Sequence, residues 1–108
     1  LDTDAVTIGE FQQAIRATYL EKDRRRGVDG TFRWLVEETG ELARAIRRGE
    51  RRNLEEEFSD VFAWLASLAS LSGVNLEQAA LRYASGCPKC GGVPCNCVER
   101  PGTGVSPS

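Results

Sequence analysis

Two short acidic clusters, Glu37-Glu38-Thr39-Gly40-Glu41 and Glu57-Phe58-Ser59-Asp60, are the residues of this chain best suited to chemistry. Each lies inside a helical apolar pattern, and a three-residue step returns a helix to nearly the same face. Glu38 with Glu41, and Glu57 with Asp60, therefore form two same-face carboxylate pairs. Glu38 falls three positions after Leu35 and four before Leu42, and Glu57 three after Leu54 and four before Val61, so both sit on apolar stripes. An unpaired carboxylate there costs several kcal/mol or shifts its pKa until it neutralises. Carboxylate-only ligation suits a hard divalent cation, Mg²⁺ or Mn²⁺. The competing reading is a solvated Glu/Arg face of an ordinary helix.

The elements that must position these groups are all helical, and no stretch alternates as a strand does. Thr7-Ile8-Gly9-Glu10 is a capping box, and Phe11, Ile15 and Tyr19 or Leu20 continue at helical spacing to about Lys22. The charged, glycine-containing stretch 23–30 predicts a loop. A second helix is expected over 32–48 on a stripe of Leu35, Leu42 and Ile46, stopped by Gly49. Asn53, with Glu56 three residues on, predicts the N-cap of a third helix over 54–71 whose Phe58, Val61, Leu65 and Leu68 face inward. A short fourth helix from Asn75 to Tyr83 follows. A short connection at Gly49 favours antiparallel neighbours. Glu41 and Glu57 are each eight positions from Gly49, and Glu38 and Asp60 each eleven, so the four carboxylates are expected to converge. The expected architecture is all-α: three main helices plus a short fourth, completed by dimerisation, with a C-terminal cysteine knuckle. Its divisions are a catalytic domain over 1–86, the knuckle over 87–97 and a disordered tail over 98–108.

In this setting the chain resembles the MazG-type nucleotide pyrophosphohydrolases of the all-α NTP pyrophosphatase superfamily. The resemblance rests on E-E-x-x-E at 37–41 and E-x-x-D at 57–60, with Trp34-Leu35-Val36 before the first motif and Leu42-Ala43-Arg44-Ala45-Ile46 after it, and spans about residues 8–84. It implies Glu38, Glu41, Glu57 and Asp60 as Mg²⁺ ligands, and Glu37 as an outer group or a base that orients water. It implies cleavage of a nucleoside triphosphate to a monophosphate and pyrophosphate, in the service of removing non-standard or surplus nucleotides. It also implies a homodimer or homotetramer. Arg26, Arg82 and Lys89, with Lys22, Arg24 and Arg25, are the cations available to a triphosphate, and Trp34, Trp64 or Tyr19 could stack on a base. Where relatives carry a Lys-Asn pair on the last helix, this chain has Leu81-Arg82-Tyr83-Ala84, which shifts phosphate gripping to Arg82, Lys89 or a partner chain. The alternative is a helical adaptor that senses nucleotide or metal without turnover.

Cys87, Cys90, Cys95 and Cys97 form a C-x-x-C-x4-C-x-C knuckle. Zn²⁺ bound by four thiolates, reversible disulfides and free thiols are all open readings. The chain has 108 residues, no histidine and a net charge of −2. Lack of histidine removes Ser-His and Cys-His nucleophilic catalysis and Glu-x-x-His di-iron ligation. The charge gives no general pull toward a nucleic-acid polymer or a membrane, and no apolar run approaches the roughly 18–20 residues of a membrane span. A cytoplasmic location is the expectation.

Overall fold

A computed structural model describes residues 5–99 of the chain. Among them every regular element is helical: α1 (Ile8–Arg48), α2 (Arg51–Leu71), α3 (Leu76–Ala80) and a 3₁₀ turn at Leu81–Tyr83. The expected tail falls outside the described residues from residue 100 onward. Two compact units divide the chain, Leu1–Leu76 and Glu77–Ser108.

The start of α1 follows from its sequence. The Thr7 N–H donates to Glu10 Oε1 at 2.9 Å and the Glu10 N–H to Thr7 Oγ1 at 3.0 Å, closing the expected capping box. The loop expected at 23–30 does not form. Helix runs through it, broken only at Gly27, whose φ of 79° and ψ of 174° belong to a region almost closed to residues with a Cβ. Two of the charges that suggested a solvated loop, Asp23 and Arg26, are instead paired just before the break, while Arg24 and Arg25 are exposed. Asp23, 3% exposed, accepts a 2.8 Å bond from Arg26 Nη1, and the same nitrogen donates to the buried Thr31 Oγ1 at 3.3 Å. The two helices expected on either side of the loop are thus the arms of one kinked α1.

Gly49 ends α1 in the left-handed conformation, its N–H bonded to Ala45 O at 2.9 Å, as the sequence predicts. The next helix starts earlier than expected. Glu50 is its N-cap, without a side-chain cap, and Asn53 lies inside α2. Arg51–Glu55 (3.1 Å) and Arg52–Glu56 (3.5 Å) pairs brace that extra turn at i,i+4 spacing, so Glu56 faces Arg52 instead of closing a capping box.

α2 packs on both arms of α1. Phe11 stacks on Phe62 at 4.5 Å before the kink, and Trp34 on Trp64 at 5.8 Å after it. The Gln12 side chain bonds Ser70 Oγ, Val74 O and the Leu76 N–H, and so ties the end of α2 to α1. Among the described residues the buried apolar side chains are all small: Ala45, Ala66 and Ala69. Larger residues expected to face inward remain open: Ile46 is 57% exposed, Phe58 56% and Leu65 39%. These large side chains leave part of the apolar stripe uncovered. Among the described residues no helix is long and apolar enough to cross a membrane.

Candidate functional site

Register in the hairpin of α1 and α2 is set by Gly49. Trp34 and Trp64, each fifteen positions from it, stack on one another, and one turn nearer the hairpin Glu38 faces Asp60. Glu38, Glu57 and Asp60 bring carboxylate oxygens within 4.8 Å of one another. Glu38 and Glu57 are half-buried and Asp60 is exposed. Glu41 stands beside this group but turns one helical turn along, where Arg44 Nη1 bonds both its oxygens at 3.1–3.2 Å. Glu37 is exposed and outside the group.

The electrostatics of this trio are unfavourable as they stand. Desolvation first, then the charges of Asp60, Glu57 and Glu41, push the Glu38 carboxyl above its ordinary range, while a hydrogen bond with the Trp64 side chain acts the other way. Glu57 Oε2 is buried without a hydrogen-bond partner. A buried orphan acceptor costs about 1–3 kcal/mol, more when charged. Three carboxylates from facing helices, one with an unsatisfied oxygen, form an oxygen-only donor set that fits a hard divalent cation. Glu38, Glu57 and Asp60 would hold it, and Glu41 is a further carboxylate whose charge reaches Glu38.

Asp60 also opens onto a cleft of about 280 Å³ between α2 and the first arm of α1. Its walls are Tyr19, Lys22, Asp23 and Arg26 on one side and Asp60, Trp64 and Ser67 on the other, with Ile15 and Ala63 behind. Arg26 lies over the Trp64 ring at 4.6 Å, and its charge is met by Asp23. Lys22 lines the cleft with no ion pair among the described residues, so it is the cation free to meet an anion. Of the aromatic residues considered from sequence, Tyr19 and Trp64 face this space, whereas Trp34 is half-exposed against Trp64. Arg24 and Arg25 are exposed. Arg82 and Lys89 belong to the second unit, where Arg82 lies over the Tyr83 ring at 5.6 Å.

Sequence reading missed Asp23 altogether, because it lay in a stretch taken for loop. The D-x-x-R spacing of Asp23 and Arg26, a same-face pair if that stretch is helical, was the available signal.

In the second unit Cys90 is held down to about 6 by backbone N–H groups of Asn96 and Gly92 aimed at its sulfur. The Cys97 thiol is pushed up to about 12 by hydrogen bonding to Cys95 and Cys87.

The sequence model of the MazG nucleotide pyrophosphohydrolase domain matches residues 26–85, which include both acidic motifs and end before the first cysteine. No curated protein matches the chain.

Proposed function

Because this chain belongs to the MazG nucleotide pyrophosphohydrolase domain family, we propose that it is a Mg²⁺- or Mn²⁺-dependent enzyme that hydrolyses nucleoside triphosphates to monophosphate and pyrophosphate. The observation that carries this reading is the meeting of Glu38, Glu57 and Asp60 within 4.8 Å, with Glu57 Oε2 unsatisfied. A bound divalent cation supplies positive charge at the phosphoryl oxygens and lowers the pKa of water toward neutrality. Glu38, Glu57 and Asp60 would hold it from the two helices. Glu41 would be available as a further ligand, since its pair with Arg44 is exposed and worth only about 0–1 kcal/mol.

The other residues of the site have separable tasks. Glu37, exposed and one residue before Glu38 in sequence, would act as an outer group or as the base that orients the attacking water and takes its proton. The water oxygen bonds to the α-phosphorus as the α–β bridging P–O bond breaks, and the bonding electrons leave with pyrophosphate. The cleft beside Asp60 receives the nucleoside: Trp64 and Tyr19 offer aromatic faces, and Lys22 offers charge to a phosphate. At about 280 Å³ the cleft is at the small end of ligand pockets, so it suits part of the nucleotide and leaves the phosphates at its acidic mouth.

A homodimer or homotetramer belongs to the same reading. Phe58, Phe62 and Leu65 form an exposed apolar face on α2, beside Phe11, that a second chain would cover. Light scattering at micromolar concentration checks this, and a monomeric mass contradicts it.

The direct test is a screen of ribo- and deoxyribonucleoside triphosphates with Mg²⁺, with Mn²⁺ and with chelator, scored by pyrophosphate release. Release should require the metal and fall at least about 100-fold in Glu38→Gln and Asp60→Asn, since even outer-shell changes at metal sites cost 10–100-fold. Nucleotide binding with no release under any metal would leave the adaptor reading in its place.

A further inference from the structure

We propose that the second unit holds one structural Zn²⁺ on Cys87, Cys90, Cys95 and Cys97. This site lies outside the family match, which ends at residue 85, and is independent of the catalytic reading.

The first argument is the shape of the sulfur cluster. A tetrahedral ion with Zn–S bonds of about 2.3 Å has sulfur–sulfur edges of about 3.8 Å. Cys87 Sγ and Cys97 Sγ are 3.8 Å apart, and Cys90 Sγ and Cys95 Sγ are 3.9 Å apart. These two separations share no sulfur, so they correspond to opposite edges of one tetrahedron. All four sulfurs lie within 4.8 Å of one another, so no remaining edge is too long for one ion to reach all four. A disulfide would bring a pair to about 2.05 Å; both pairs stand at nearly twice that. The pairing also crosses the sequence motifs: each half, C-x-x-C and C-x-C, contributes one sulfur to each edge. Two disulfides would staple the knuckle, but only a central ion uses all six separations at once.

The second argument is the backbone. Amide N–H groups point at sulfur from Lys89 to Cys87 (3.4 Å), from Gly92 and Asn96 to Cys90 (3.4 and 3.3 Å) and from Cys97 to Cys95 (3.2 Å). Such donors stabilise thiolates, the form that binds metal, and orient them for it. The fold of the segment exists to place them. Cys87 O accepts from the Gly91 N–H at 2.7 Å and the Cys87 N–H donates to Gly92 O at 3.1 Å, closing the turn between the first two cysteines. At Gly92 a Cβ would lie 2.6 Å from Pro94 O, so only glycine lets the chain double back to bring Cys95 and Cys97 to the first pair.

Four thiolates leave no open coordination position, so the ion has a structural role and does not activate water. The unit needs it. Val93 is 81% exposed and Val98 92%, and Gly86 to Cys97 buries no apolar side chain, so there is no core to hold the turn closed. Metal binding then supplies the folding energy of this segment.

The test is elemental analysis of the full chain purified without chelator. The expected result is about one zinc per chain, with native thiols slow toward an aromatic disulfide reagent until a strong chelator is added. Cobalt exchanged for zinc should give the intense visible absorption of a tetrahedral tetrathiolate site. Cys97→Ser should lose zinc while the helical circular dichroism of α1 and α2 is retained. Zinc kept by Cys97→Ser, stoichiometric iron in place of zinc, disulfides in the mass spectrum, or a metal-free chain with four fast thiols would each overturn the proposal. The metal content of the unsubstituted chain decides the matter even if the variant misfolds.

Discussion

Replacing Glu57 by glutamine should stabilise the metal-free protein and remove most of its response to Mg²⁺. Two unit charges 4.8 Å apart, the upper bound on the oxygen separations in the trio, repel by about 0.9 kcal/mol in water and about 3.5 kcal/mol at an effective dielectric of about 20. Glu38 and Glu57 are half-buried and Asp60 exposed, so solvent screening holds each pair near the low end, about 1 kcal/mol. Glu57→Gln removes two of the three repulsions and gives the interface an amide donor, for a gain of about 2 kcal/mol without metal. In a domain of this size that is a rise of about 8–16 °C in melting temperature. With Mg²⁺ at about 100 times its dissociation constant, the unsubstituted protein gains about 2.7 kcal/mol and the variant little, so the order of stability reverses or closes. The assay is thermal melting at fixed protein concentration in chelator and across a Mg²⁺ series. Glu55→Gln serves as the control, because Glu55 only pairs with Arg51 on the surface and should move stability by less than about 0.5 kcal/mol in either condition. Should Glu57→Gln melt below the parent in chelator, or Mg²⁺ raise both proteins equally, the carboxylates are not held together at the expense of stability and the cation reading fails.

Other expectations follow from the same geometry. Glu38 has a folded pKa raised above its ordinary value of 4.5, so its contribution to metal-free stability is fully present below that value and is lost as pH rises through the raised folded pKa. Urea midpoints in chelator should therefore rise on mild acidification relative to Glu38→Gln, while the Mg²⁺-induced gain should shrink over the same range because ligands must be deprotonated. Gly27→Ala should cost about 1–3 kcal/mol by denaturant titration, from backbone strain alone, since a Cβ there meets nothing within 4 Å. Asp23→Asn should cost about 2–3 kcal/mol by denaturant titration, below the full penalty for breaking a buried pair because Arg26 is 23% exposed.

Much of this protein is written in its local sequence. Thr7 with Glu10, and Gly49 in its left-handed cap, declare helix ends because capping depends on residues a few positions apart. Equal spacing from Gly49 sufficed to set Glu38 opposite Asp60, because two helices joined by so short a link have one antiparallel register. The cysteine knuckle was legible for the same reason: its four cysteines are close along the chain.

What tertiary structure alone decided lies where a side chain's fate depends on an element distant in sequence. Asp23 and Arg26 read as solvated loop charges until helix continues past Gly27 and they close on each other. Trp64, one aromatic among several on helical spacing, becomes the wall of a cleft only because the kink sets the first arm of α1 beside α2. Glu41 shares the spacing of its partners yet turns to Arg44, because an adjacent cation holds it there. Periodicity assigns a residue to a face; the crossing of helices, and the charges that meet at the crossing, assign it a partner.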